Sequence, residues 1–80
     1  LIAKIIIPDL GATGGDVTLM RWLVEPGEKV QAGQPLFLVE TDKATVEVEA
    51  FREGYLRRIM VEAGETVSLG SVVALMADSM

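Results

Sequence analysis

The side chains available for chemistry are few, because the sequence contains neither cysteine nor histidine. Without cysteine there is no disulfide framework, no thiolate nucleophile and no Cys-based metal site. Without histidine the commonest general base and metal ligand is gone. No nucleophile–base pair, metal cluster or phosphate-binding loop can be assembled from what remains, so an independent enzyme is not expected. One residue stands out by its placement. Lys43 follows Thr41-Asp42 and precedes Ala44, between two strand-like stretches, Leu36–Glu40 and Ala44–Val48. The spacing predicts a tight hairpin with Lys43 at its tip, Asp42 being a favoured turn residue that can bond the backbone ahead of it. The ordinary reading of such a lysine is a solvated charge, and spacing alone does not set that reading aside. Glu40, Asp42, Glu47 and Glu49 make the neighbourhood acidic, which gives no reason to expect a catalytic free amine. Glu47 and Glu49 themselves read as a solubilising face. Lys4 and Lys29 read as surface charges.

The elements that must hold this hairpin are short strands. Ala3, Ile5 and Ile7 alternate in a β-branched segment. A long turn-rich loop follows, Pro8 to Asp16. Val17–Val24 is a second strand, ended by Pro26-Gly27-Glu28, and Lys29-Val30 is a very short third. Leu36–Glu40 and Ala44–Ala50 flank the lysine; in the latter, Val46 and Val48 alternate with Glu47 and Glu49, one face dry and one wet. Glu53-Gly54 turns the chain into Tyr55–Val61, and Val72–Ala77 is the last strand.

An internal repeat organises these elements. A shift of 37 residues carries Leu23–Gly33 onto Met60–Gly70 with six of eleven positions identical. Leu19 over Leu56, Arg21 over Arg58 and Leu38 over Leu75 extend the match. Two copies are too few for a solenoid. Two four-stranded antiparallel sheets, packed face to face about a pseudo-twofold axis, would bury both apolar faces. The expected fold is therefore all-β, a flattened barrel or sandwich. The lysine hairpin has no counterpart in the second copy, so one tip protrudes, and the termini are expected at the opposite pole. The repeated glycines and valines read as turns and core.

The 80 residues are half apolar, enough for one modest core, with Trp22, Phe37, Phe51 and Tyr55 the only aromatics. A net charge of −5 argues against nucleic acid and against an anionic membrane surface. No apolar run reaches transmembrane length. Leu1–Ile7, interrupted by Lys4, is too short for a signal peptide. The absence of an initial Met suggests a piece of a longer, multidomain polypeptide.

The residues around the lysine resemble a known family. Glu40-Thr41-Asp42-Lys43-Ala44 is similar to the lipoylation motif of the acyltransferase components of 2-oxo acid dehydrogenase complexes, within the biotinyl/lipoyl attachment family. Ile7-Pro8-Asp9-Leu10-Gly11 resembles the family's opening strand and loop. Trp22, Pro26-Gly27-Glu28, Val30, Glu47-Val48-Glu49-Ala50 and Gly54 fall where the family has like residues, so the resemblance covers nearly the whole chain. There is one departure: Val17, the repeat mate of Gly54, stands where the family usually has a second glycine.

The resemblance implies a barrel-sandwich hybrid whose Lys43 carries covalent lipoic acid as a swinging arm for acyl groups and reducing equivalents. The lipoyl cofactor would supply the chemistry. Glu40, Thr41, Asp42 and Ala44 would flank the modification site. Asp42 and Ala44 would present the lysine to a lipoate-protein ligase or lipoyl transferase. Gly11, Ala12, Thr13, Gly14, Gly15 and Asp16 would form a loop beside the hairpin that a thiamine-diphosphate-dependent dehydrogenase component recognises. The acyltransferase catalytic domain and the flavoprotein dihydrolipoamide dehydrogenase would be the other partners. The isolated domain is expected to be monomeric and non-catalytic, in the bacterial cytoplasm or mitochondrial matrix. Rival readings are a biotin carrier, in which methionines typically flank the lysine, an unmodified scaffold module of an adaptor, and the longer lipoyl protein of glycine cleavage. Asp42 and Ala44 favour lipoyl over biotin.

Overall fold

In the computed structural model, which describes residues 1–10 and 15–79, the chain forms eight strands. They are β1 (Ile2–Ile6), β2 (Asp16–Trp22), β3 (Lys29–Val30), β4 (Pro35–Glu40), β5 (Thr45–Glu49), β6 (Gly54–Ile59), β7 (Thr66–Ser68) and β8 (Val72–Ala77). Two four-stranded antiparallel sheets result, ordered β1-β8-β6-β3 and β5-β4-β2-β7. They remain separate, with β1, β3, β5 and β7 as edges, so the sandwich does not close into a barrel.

The alternation read from the sequence is the alternation of burial. Ile5 and Ile7 face inward while Lys4 and Ile6 are exposed, and Val48 is buried between exposed Glu47 and Glu49. Leu19, Phe37, Leu56 and Met76 fill the middle of the core, each burial worth roughly 1.5–3 kcal/mol. Among the described residues no polar side chain is buried. Trp22 ties the two sheets: its ring lies 4.8 Å from that of Phe37, and its Nε1 donates to the carbonyl of Val61 at 2.8 Å.

The repeat is a symmetry of register. The 37-residue shift carries β2 onto β6, β3 onto β7 and β4 onto β8, and it turns one sheet order into the other with β5 answering to β1. Both halves have a bulge at the same place on the long strand, between Leu19 and Arg21 and between Leu56 and Arg58. They repeat a second irregularity at Pro35/Phe37 and Ile5/Ile6. The turns match too. Gly27 and Gly64 have φ of 92° and 95°, Gly33 and Gly70 have 86° and 84°. Glu28 and Glu65 each reach back three residues to accept from the N–H of Glu25 and Glu62. Positive φ at these turns is why glycine recurs there.

Gly54 and Val17 show how the halves differ inside one frame. A Cβ on Gly54 would meet the Ala77 carbonyl at 2.8 Å and the Met76 side chain at 3.0 Å. In the other half the mates of Gly54 and Met76 are Val17 and Val39, both buried. Small plus long has been exchanged for two of middle size, which keeps core volume roughly constant.

Candidate functional site

The lysine hairpin closes at one pole of a body measuring 36 × 20 × 19 Å. Its legs are β4 and β5, paired from Glu40↔Thr45 down to Pro35↔Glu49. At the top the Thr41 N–H donates to the Ala44 carbonyl at 2.8 Å, leaving Asp42 and Lys43 as the two-residue tip. No described non-glycine residue has positive φ. The usual two-residue hairpin turns, which need positive φ, are therefore not in use here. The Thr41 hydroxyl supplies the closure instead. Its Oγ1 accepts from the Lys43 N–H at 3.1 Å and the Ala44 N–H at 3.0 Å, and donates to the Ala44 carbonyl at 3.0 Å. One side chain thus clamps the backbone on both sides of the lysine. The hydroxyl ahead of the tip, a recognised turn former, was the signal for this role, which the sequence reading assigned to Asp42.

Lys43 is exposed, as are Asp42, Ala44 and Glu40, while Thr41 is half-buried. The described residues enclose no cavity and hold no set of metal-binding side chains. What the site offers is an amine on a backbone held rigid immediately behind it. Of the other lysines, Lys4 is exposed on an edge strand, and Lys29 pairs with Glu53 at 3.5 Å in a solvated contact of small energetic weight.

The expected recognition loop falls partly outside the described residues, which exclude Gly11, Ala12, Thr13 and Gly14. Gly15 and Asp16 are described. Asp16 opens β2 two residues before Thr18, the partner of Glu40, so it stands at the hairpin end of its sheet. It accepts from the Ser68 hydroxyl at 3.1 Å, and the Gly15 carbonyl accepts from Leu69 at 3.0 Å. Glu47 and Glu49 line the outer face of β5 as a solvated row.

Leu1 and Asp78 lie at the other pole. β2 leaves the hairpin end and runs on to β3, which pairs with Tyr55 and Gly54; Tyr55 in turn pairs with Ala77, the last residue of β8. Leu1 and Asp78 meet there, at 3.1 Å.

Comparison with known proteins agrees with this architecture. A family model described as "Biotin-requiring enzyme", of the biotin/lipoyl group, matches residues 3–76. The chloroplastic dihydrolipoyllysine-residue acetyltransferase component 5 of the pyruvate dehydrogenase complex of Arabidopsis thaliana is 38% identical over 78 residues, 98% of this chain and 17% of that protein. The dihydrolipoyllysine-residue succinyltransferase component of the 2-oxoglutarate dehydrogenase complex of Bacillus subtilis is 32% identical over 77 residues, 96% of this chain and 18% of that protein. The chain thus spans less than a fifth of these relatives. Among solved structures, the lipoyl domain of the 2-oxoglutarate dehydrogenase complex from Azotobacter vinelandii superposes with a TM-score of 0.78 at 28% identity, covering 96% of this chain and 98% of that one. With a family model spanning nearly all of it and a whole lipoyl domain laid over its two sheets, the chain belongs to the biotinyl/lipoyl attachment family, as a lipoyl domain of the kind found in dihydrolipoyllysine acyltransferase components.

Proposed function

We propose that Lys43 is the residue that carries lipoic acid, in amide linkage, and that the domain is a mobile carrier within a 2-oxo acid dehydrogenase complex. The observation that carries this reading is the clamped hairpin. An exposed amine sits at the tip of a turn whose N–H groups and carbonyl are fixed by Thr41, in a domain of a family defined by such attachment. The residues fit the group: a covalent bond needs no enclosing cavity, and an exposed lysine at the end of a hairpin leaves room for a long arm. The amide forms when the amine attacks an activated lipoyl carboxyl group, with loss of the activating group and a proton. When bound there, lipoic acid would supply a disulfide for the transfer of an acyl group together with two electrons.

The protein's part is position. The β4–β5 frame holds the attachment point at the pole opposite Leu1 and Asp78. In the parent protein, which we take to be a longer multidomain acyltransferase, tethering keeps the arm at high effective concentration near each active site. The partners on this reading are a lipoate-protein ligase or lipoyl transferase, a thiamine-diphosphate-dependent dehydrogenase, the acyltransferase catalytic domain and dihydrolipoamide dehydrogenase. Gly11–Asp16 would contribute to recognition by the dehydrogenase. Relatives include bacterial and mitochondrial proteins, in keeping with cytoplasm or matrix, and a chloroplastic one, which adds a third compartment.

The test is co-expression with a lipoate-protein ligase, read by intact mass and peptide mapping. The unaltered chain gains one lipoyl group on Lys43, and Lys43→Arg gains none. Exchanging Lys43 with Asp42 or with Ala44 shifts the amine along the hairpin and redirects it. Modification then slows by roughly tenfold or more. Undiminished lipoylation of the exchanged proteins overturns the reading, and a biotinyl mass increment after co-expression with a biotin ligase would favour the biotin carrier.

A further inference from the structure

Met20 is the extra residue of the β2 bulge between Leu19 and Arg21, and it is 42% exposed. Its thioether does not project at random. The Thr45 hydroxyl donates to Met20 Sδ at 3.8 Å, so a side chain rooted on β2 reaches across β4 to the first residue of β5, two positions after Lys43. The register puts half-buried Leu38 on the same outer face, paired with Arg21 and Glu47, and Glu40 paired with Thr45. The result is a small apolar shoulder with a charged rim at the foot of the hairpin, the pattern of a contact patch in miniature.

The internal symmetry shows that the fold does not demand a methionine here. The repeat mate of Met20 is Arg57, an exposed residue at the matching bulge between Leu56 and Arg58. A charged residue therefore suits the bulge, and only the copy beside the lysine places a soft, apolar, adaptable side chain on it.

Resting on the assignment of Lys43, we infer that Met20, with Leu38 and Thr45, is a docking shoulder for the enzyme that forms the amide on Lys43, which approaches the hairpin from the outer face of the β5-β4-β2-β7 sheet. That enzyme is the occupant because its reacting atom is the lysine nitrogen itself. Its active-site rim must close over the residues beside the tip. The dehydrogenase component, assigned above to the Gly11–Asp16 loop, reacts at the far end of the arm and does not have to close over the lysine nitrogen.

The experiment uses the 80-residue chain and a purified lipoate-protein ligase. Met20→Arg raises KM for lipoylation roughly tenfold with kcat within about twofold. Met20→Leu retains the original KM, and Arg57→Met on the other sheet leaves it unchanged. Fully lipoylated Met20→Arg protein is then offered to the dehydrogenase component, and reductive acylation proceeds within about twofold of the unaltered domain. An unchanged lipoylation KM in Met20→Arg overturns the inference. So does an equal rise in KM for acylation, which would assign the shoulder to the dehydrogenase. Failure of the Lys43 reading shows separately, as a lipoyl group still gained by Lys43→Arg.

Discussion

Two places in the molecule are the same joint made twice. At the hairpin, the Thr41 N–H donates to the Ala44 carbonyl at 2.8 Å and the Ala44 N–H to Thr41 Oγ1 at 3.0 Å. At the opposite pole the repeat mate of Thr41 is Asp78, whose N–H donates to the Leu1 carbonyl at 3.3 Å, while the Leu1 nitrogen donates to Asp78 Oδ1 at 3.1 Å. The strands leading into the two joints pair in matching register, Thr45↔Glu40 answering Ile2↔Ala77. Only the first joint is bridged by a tip, Asp42-Lys43. A symmetric frame therefore yields two unlike poles, because two residues close one joint and place an exposed amine on it.

The frame tolerates different side chains unequally, and the largest expected effect tests that. Gly54→Ala puts a Cβ 2.8 Å from the Ala77 carbonyl and 3.0 Å from the Met76 side chain. The loss of stability is about 2 kcal/mol, or roughly 8–16 °C in Tm, measured by thermal unfolding. Adding Met76→Val, which copies the Val39 of the other half, recovers the side-chain part and leaves the carbonyl clash. If Gly54→Ala unfolds at the original temperature, sterics are not what separates the halves.

A smaller effect separates the joints. Thr41→Val removes the hydroxyl from three hydrogen bonds at the tip; because these groups are exposed, water replaces much of what is lost, and stability falls by about 1 kcal/mol. Amide exchange of Lys43 and Ala44 should quicken while the terminal joint is unaffected. Thr41→Ser, which keeps the hydroxyl, should exchange like the unaltered protein. Equal exchange in Thr41→Val would mean that the β4–β5 ladder alone holds the tip.

How much of this was legible in the sequence follows from which interactions are periodic. Val46 and Val48 against Glu47 and Glu49 announce a half-wet strand, and the turn glycines mark where each strand stops. β7 was readable only through the repeat, since Thr66–Ser68 has too little pattern of its own. The bulges were missed, although a signal existed. Inward residues run Val17, Leu19, Trp22, Val24 in one half and Gly54, Leu56, Ile59, Val61 in the other, and the step of three in each interrupts the period of two. The bulge is where Met20, the residue of the inferred docking shoulder, reaches Thr45 beside the hairpin. The tip itself was found from Lys43 and its flanks, but the clamp was not, because a hydroxyl serving three backbone partners depends on the turn's geometry.

The least effect is expected at the terminal joint, and its sign can be worked out. The hydrogen bond from the Leu1 nitrogen, together with its charge, holds the Asp78 carboxyl below its ordinary value of 3.8. A carboxyl with a lower pKa folded than unfolded favours the native state above the unfolded value. That contribution is lost as pH falls through the lowered, folded value. In the isolated 80-residue chain, whose Leu1 nitrogen is a charged amine, Asp78→Asn should therefore lower Tm slightly near neutral pH, and the difference from the unaltered protein should close on the acid side of 3.8. Both groups are exposed, so added salt should shrink the difference as well. Thr41 does not titrate, and the hairpin's contribution should stay constant across the same range. If Asp78→Asn instead left Tm unchanged at every pH, the terminal joint would be held by the uncharged bond between the Asp78 N–H and the Leu1 carbonyl, which the substitution retains. The two joints would then be alike in mechanism as well as in geometry.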